Sequence, residues 1–554
     1  MKKKTSITYG LLAILMLVAG LVVPSRLGSP ARVEADPGVC KWDTLREPGN
    51  LPGTEVIAQG SDGIDLAVGS DGNTVVAVVK DGPPGFPETT NLFKYDDSAA
   101  GLFWDTSRWL ALTRKPQWTA GDQVVQVAMA PDNPQFFAVT ATFGGDVGGN
   151  PPGLLYGPRE VWVTQNGGAD WAITNLHSVL PAGQTIRCID ISVDYGGKRD
   201  IVVGTVTPGG AGELYVVKST GFSGWVPQNA STGPAPTLGG PFNFMAVKFS
   251  PSYASDASLA VVFANTNANA GGNGATYYNV GLRDIDQNTT PAWAFTVPGI
   301  EVKDPSVTVG NSPSADQLVQ ADLQLPSDFS GQAASLRRAY ISLDAFGAAG
   351  KASTDRDGVF RIDDTTVYTL MDTSNTPTKS IFSIAYFGTY ASGKLLAGEH
   401  AGFVCTATVP TWFTDSPTTC PIPCWYPALK PTTGAACLSG IGTAKVAWNP
   451  QGTLAYVLTG SASPLPTTVP IVLPTGPFGW DTDLLAPIVP PVALDESALA
   501  ISRNNGETWN QISLIDTTIT QFTDIAPTPD CKTIYLASVN ACGASTCYVT
   551  MSAN

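Results

Sequence analysis

The sequence predicts an all-β fold built from repeated blades, and three observations carry that prediction. A two-strand unit recurs along the chain, no interior stretch keeps a 3.6-residue apolar period, and turn residues are abundant. Gly (57) and Pro (44) are spread through 554 residues, while charged residues make up 14% and hydrophobics 43%. That composition excludes a coiled coil, a disordered polyelectrolyte and a basic nucleic-acid binder. It suits a β-rich globular chain with many tight connections. A prior of about 150 residues per domain would give three or four domains. The repeat turns that count into a single ring.

The unit is an alternating apolar run, a polar turn often containing Ser/Ala-Pro, and a second β-branched run. Its copies begin at Ile64, Val124, Ile186, Phe244, Ser306, Ser380, Gly442 and Phe522. Between copies lies a second pair of short strands, as in REVWVTQNGGADWAITNL after the second copy and ALAISRNNGETWNQISLI after the seventh. Four strands in roughly 60 residues, repeated along the chain, is the blade pattern of a β-propeller, here of seven or eight blades. Two β-sandwich domains side by side are the structural alternative.

The N-terminus sets the expected compartment. Met1-Lys2-Lys3-Lys4 precedes an apolar run from about Tyr9 to Val23, and Val33-Glu34-Ala35 resembles a cleavage site. A secretory signal peptide over residues 1–35 is expected, with one propeller over 36–554, a secreted or cell-surface location and no membrane span after cleavage. The mature chain would carry 26 basic and 45 acidic residues, a balance that repels nucleic-acid phosphates and anionic lipid. In an exported chain Cys40, Cys405, Cys420, Cys424, Cys437, Cys531, Cys542 and Cys547 are disulfide candidates. With Cys188 the total is nine, so at least one is free or pairs between chains. Cys420-x3-Cys424 has no His or second tight Cys pair to complete a zinc site.

Two turns are sharper. Thr164-Gln165-Asn166-Gly167-Gly168-Ala169-Asp170-Trp171 and Ser502-Arg503-Asn504-Asn505-Gly506-Glu507-Thr508-Trp509 share one pattern. The hydroxyl and the short polar side chain can take backbone N–H groups within the hairpin, and the Gly can adopt positive φ. The Trp can pack between strands. Both turns resemble the Asp-box, or bacterial neuraminidase repeat, whose pattern is S/T-x-D-x-G-x-T-W. Thr164, Asn166, Gly168, Trp171, Ser502, Asn504, Gly506 and Trp509 carry the resemblance, with Asn in place of Asp in both. Weaker cousins are Gly101-Leu102-Phe103-Trp104 and Gly221-Phe222-Ser223-Gly224-Trp225. The last copy runs into Tyr548–Asn554, which looks like the start of a box, and Val39-Cys40-Lys41-Trp42 is expected to supply a closing strand.

The resemblance implies a β-propeller and leaves activity open. A sialidase would need an arginine triad and an F/Y-R-I-P motif. The nearest string is Phe360-Arg361-Ile362-Asp363, without the Pro. Scarce charge and only two histidines, His177 and His400, also weigh against an enzyme. Glu399 beside His400 is the one dyad of catalytic type, set against a solvated loop pair. Asp355 and Asp357, with Asp363 and Asp364 nearby, could hold calcium, but they lack the full ligand spacing of a known loop and turn chemistry is the better default. No other cofactor is expected.

Two insertions stand out. Residues 461–495 form a Pro-rich apolar loop with Phe478, Trp480, Leu484 and Leu485, an interaction surface for a protein partner or another copy of the chain. Residues 405–437 hold four Cys with Trp412, Trp425 and Tyr426, a stapled loop or an aromatic sugar platform. The resulting expectation is a non-enzymatic surface propeller that mediates protein interaction or envelope assembly, such as a surface-layer component. A propeller glycoside hydrolase, sialidase-like or glucanase-like, is the first alternative. A periplasmic assembly factor or receptor is the second.

Overall fold

The computed structural model describes residues 62–72, 74–81, 89–96, 103–104, 124–143, 157–207, 210–228, 242–265, 275–295, 299–303, 318–345, 357–371, 380–401, 411–418, 425–429, 442–461, 498–513, 519–527, 534–540 and 549–553. The expected signal peptide, the Cys40 strand, the 461–495 loop with Phe478, Trp480, Leu484 and Leu485, and all eight disulfide candidates lie outside these residues. Asp355 does too. Cys188 is free and buried.

The chain divides into two units, Pro48–Thr517 and a second made of the two chain ends. In the first, six hydrogen-bonded sheets carry seven antiparallel four-stranded meanders. Blade 1 comprises β1 (Asp62–Val68), β2 (Thr74–Asp81), β3 (Thr89–Asp96) and β4 (Phe103–Trp104). Blade 2 comprises β5 (Val124–Ala130), β6 (Asn133–Ala141), β7 (Glu160–Thr164) and β8 (Ala172–Ile173). Blade 3 is β9 (Thr185–Ile191), β10 (Asp200–Val206), β11 (Leu214–Lys218) and β12 (Val226–Pro227). Blade 4 is β13 (Phe242–Phe249), β14 (Ser258–Asn265), β15 (Thr276–Asp284) and β16 (Thr289–Trp293), with β17 (Ile300–Glu301) added on β15. Blade 5 is β18 (Leu318–Gln324), β19 (Arg338–Ala345), β20 (Gly358–Asp363) and β21 (Thr366–Met371).

Blade 6 is β22 (Ser380–Phe387), β23 (Lys394–Ala401), β24 (Thr411–Thr414) and β25 (Tyr426–Pro427). Blade 7 is β26 (Gly442–Trp448), β27 (Ala455–Ser461), β28 (Ala498–Ser502) and β29 (Asn510–Ser513). Two backbone pairings, His400↔Thr443 and Ala401↔Gly442, merge blades 6 and 7 into one eight-stranded sheet. The other unit contains a three-stranded sheet, β30 (Ile519–Pro527), β31 (Ile534–Asn540) and β32 (Val549–Ala553).

Seven apolar clusters fill the seven blade interfaces of the larger unit. Val76 and Val78 meet Phe137, Val139 and Trp162 between blades 1 and 2, and Val262 and Val280 meet Leu323 and Ile341 between blades 4 and 5. The ring closes where Leu66 and Val75 of blade 1 pack on Tyr456, Leu458 and Ile501 of blade 7. Blade 1 and blade 7 are therefore neighbours within residues 48–517. The all-β propeller is the fold of this chain.

One repeat is misread from the sequence. In the copy from Ser306, the second run, QLVQADLQL, forms the first strand of blade 5, and the second strand lies at β19 beyond a 3-10 turn at Ala334–Leu336. The long turn carries no Ser/Ala-Pro signal. The other seven copies match the first two strands of their sheets.

Both box turns join the third and fourth strands of their blades. Thr164 Oγ1 accepts the Gly168 N–H at 2.9 Å, Asn166 Oδ1 accepts the Asp170 N–H at 2.9 Å, and Gly168 has φ 94°. In the other, Ser502 Oγ accepts the Gly506 N–H at 2.8 Å, Asn504 Oδ1 accepts the Thr508 N–H at 3.0 Å, and Gly506 has φ 85°. Trp171 donates to Gly168 O at 3.1 Å and Trp509 to Thr411 Oγ1 at 2.9 Å, both indoles buried. In each turn the Asn Oδ1 supplies the acceptor that holds the loop.

Candidate functional site

The first strand of each blade carries a polar residue at an equivalent position, immediately before a core residue, and the seven form a ring. They are Asp65, Gln126, Asp190, Lys248, Asp322, Ser383 and Lys445. Four of them reach the backbone N–H of the next blade at the corresponding level. Asp65 Oδ2 accepts from Val127 at 3.0 Å, Asp190 Oδ2 from Phe249 at 2.7 Å, Asp322 Oδ2 from Ile384 at 3.2 Å and Ser383 Oγ from Val446 at 3.0 Å. Each such bond satisfies a buried donor that would otherwise lie unpaired where two first strands meet.

β-Bulges lie in the first strands of six of the seven blades. The register of the first strand skips one residue at Ile64, Val125 and Phe382 in blades 1, 2 and 6, and at Arg187, Met245 and Val319 in blades 3, 4 and 5. A bulge bends the strand and re-aims a side chain. Gly398, opposite Ser383, lets blade 7 approach: a Cβ there would lie 2.0 Å from Ala444 O.

The charged members form one network. Lys445 Nζ lies 3.5 Å from Asp65 Oδ1 and 3.7 Å from Asp322 Oδ2, and Lys248 Nζ lies 3.1 Å from Asp190 Oδ1. Asp322 Oδ1 also accepts the Leu323 N–H at 2.8 Å and the Gln324 amide at 3.3 Å. Burial pushes the Asp65 carboxyl above its ordinary value, with Lys445 opposing and the Asp322 charge adding. Burial likewise lifts Asp190 against the pull of Lys248. For Lys248 and Lys445 burial alone works downward, but the facing carboxylates outweigh it and both ammonium groups are held above their usual value.

Toward the N-terminal ends of the first strands, Arg187 extends from blade 3 to blade 5. It donates to Val319 O and, at 2.8 Å, to Gln320 Oε1. Gln126 donates to Arg187 O at 2.7 Å. Cys188, next to it, is a buried thiol that desolvation pushes up to about 12.

The residues singled out from sequence lie elsewhere. Glu399 and His400 are in β23, the second strand of blade 6, and not in a loop after a first strand. Glu399 is buried and accepts from the Trp412 indole. Asp357 is buried beside β19 and accepts the Ala345 N–H at 2.6 Å, a turn role, and no metal-holding cluster of acids, His and Cys occurs among the described residues. Arg361 is stacked on Tyr368, ion-paired with Asp363 and bonded to Pro417 O. The ring escaped the sequence reading because each member, taken alone, is the polar half of a strand alternation.

No family model matches the chain, and no curated protein matches it. Among solved structures, the α-L-arabinofuranosidase Arb93A of Fusarium graminearum is similar at 10% identity, covering 63% of this chain and 94% of its own, with a TM-score of 0.34. An ulvan lyase of polysaccharide lyase family PL25 is similar at 11% identity over 73% of this chain and 92% of its own, TM-score 0.39. An ancestral GH74 enzyme is similar at 11% identity over 91% of this chain and 72% of its own, TM-score 0.26. These similar structures are carbohydrate-active enzymes and lend no support to the expected non-enzymatic surface or envelope protein. Likeness at this level transfers no chemistry, which has to come from the ring itself.

Proposed function

We propose that the chain is a propeller glycoside hydrolase that cleaves a sugar polymer with Asp65 and Asp322. The observation that supports it is the convergence of these two carboxylates, from blades 1 and 5, on the single ammonium of Lys445. With Lys445 bridging them, the bonded oxygens stand no more than roughly 7 Å apart, a bound that reaches only the short end of the range for a glycosidase acid and a water-activating base.

Asp65 takes the acid role because burial favours its protonated form. Its proton passes to the glycosidic oxygen as the C–O bond breaks. Asp322 takes a proton from water, whose oxygen bonds to the anomeric carbon, so that one water is consumed per bond cleaved. Lys445 holds both carboxylates in position. The Asp-box-like turns and the expected signal peptide suit an exported carbohydrate-active propeller, and the missing Pro in Phe360-Arg361-Ile362-Asp363 turns the reading away from a sialidase.

The test is release of reducing ends from a panel of neutral and acidic polysaccharides. Wild type is expected to release them, and Asp65→Asn and Asp322→Asn each to lower kcat by about 10²-fold or more. A folded wild-type protein that cleaves none of the panel, or a variant that keeps full rate, overturns the proposal.

A further inference from the structure

Arg187 is set apart from the other ring-lining residues in three ways. It is the residue that the β9 register skips, between Cys188↔Gly204 and Ile186↔Thr205, so its side chain leaves the alternation of the strand. Its guanidinium passes blade 4 and reaches Val319 and Gln320 of blade 5. Its Nε is buried and has no hydrogen-bond partner. A buried guanidinium N–H without an acceptor is costly, and an arriving anion would remove that cost.

Its position relative to the carboxylates is also defined. Arg187 stands three residues before Asp190, toward the N-terminal ends of the first strands, which is roughly 10 Å along an extended strand. Because the meanders are antiparallel, the connections from second to third strands leave from that same end. A polymer entering there would meet Arg187 and the Gln320 amide before it met Asp65, Asp322 and Lys445. Asp344, opposite Gln320, acts on Arg187 electrostatically.

We infer that Arg187 binds an anionic group of the polymer, a uronate carboxylate or a sulfate ester, on a sugar unit near the bond presented to Asp65 and Asp322. This rests on the hydrolase reading for its location, and on Arg187's own geometry for its charge preference. The planar fork of Arg matches either oxyanion, so the geometry fixes the chemistry and leaves its source to experiment.

Affinity electrophoresis of the full chain would use polygalacturonate for carboxylate, carrageenan for sulfate, and arabinan and dextran as neutral polymers. Retardation is expected with at least one anionic polymer and not with the neutral ones. Arg187→Gln should weaken it about tenfold or more, and Arg187→Lys should restore part of it. Polygalacturonate and carrageenan separate the two sources. Equal retardation by neutral polymers, none by any anionic polymer, or undiminished binding by folded Arg187→Gln overturns the inference. The wild-type comparison of anionic with neutral polymers decides even if Arg187→Gln fails to fold. Arg187-dependent binding without cleavage of any polymer would leave this assignment standing and defeat the hydrolase reading. Cleavage of neutral polymers untouched by Arg187→Gln would do the reverse.

Discussion

The Lys445 ammonium lies 3.5 Å from the Asp65 carboxylate, joining the seventh blade to the first. It also lies 3.7 Å from Asp322 of the fifth blade, so one cation serves three blades. Lys445→Met removes the shared counter-charge and leaves two partly buried carboxylates facing each other. A loss of about 2–4 kcal/mol at neutral pH is expected, read as a lower midpoint in urea denaturation.

The pH dependence follows from the same residues. Folding raises the Asp65 carboxyl, so between its unfolded value and its raised folded value the native state binds more protons than the unfolded chain. This group's contribution to stability therefore falls as pH rises through that window. Asp65→Asn should flatten that limb of a thermal-midpoint-against-pH curve while leaving the rest of the profile. In the proposed hydrolase, kcat/KM should fall on the alkaline side as Asp65 loses its proton.

The first box turn carries a compensated pair. Asn166 Nδ2 donates to Asp170 Oδ2 at 2.9 Å, so the amide at 166 suits the acid at 170. Restoring the usual Asp with Asn166→Asp would set two carboxylates against each other in an exposed turn. A loss of about 0.5–1 kcal/mol is expected, recovered by adding Asp170→Thr. Calorimetric melting of the single and double variants measures both steps.

Gly398→Ala should be far more damaging than its size suggests. The added methyl would meet Ala444 O at 2.0 Å, and that carbonyl already accepts from Ser383 Oγ at 2.8 Å. The clashing atoms belong to the Ala444 backbone, which has little room to yield, so a loss of about 3 kcal/mol or more is expected. Low soluble yield or a strongly lowered melting temperature would be the readout.

Cys188 should resist thiol reagents in the native protein. Its thiol is buried and pushed up to about 12, so almost none is thiolate at pH 8. Peptide mapping after iodoacetamide treatment should find Cys188 unmodified without denaturant and modified in guanidinium.

Much of the fold was legible because each blade repeats its own punctuation. Seven of eight repeat copies match the expected strand pairs, and the two Asn-containing turns lie between third and fourth strands. The copy from Ser306 slipped because the β18–β19 connection has different turn chemistry, so the eye took β18 for a second strand. The site was less legible. Asp65, Asp322 and Lys445 are far apart in sequence, and each sits in an ordinary polar–apolar alternation. Aligning the residue before the core apolar position across blades would have exposed the ring. Glu399 attracted attention because it adjoins a histidine, yet its carboxylate is occupied by the Trp412 indole.

The closing contact has a kinetic meaning. Blades 2 to 6 each form first-strand contacts with a neighbour close in sequence, whereas Lys445 can meet Asp65 only after some 380 residues of chain have been arranged. The entropy of closing so long a loop grows only slowly with its length, but it falls due before the contact gives anything back. The Asp65–Lys445–Asp322 cluster is therefore expected to be among the last features to form. Any chemistry it performs would report a finished ring, so that a chain halted with six blades in place would be largely folded and inert.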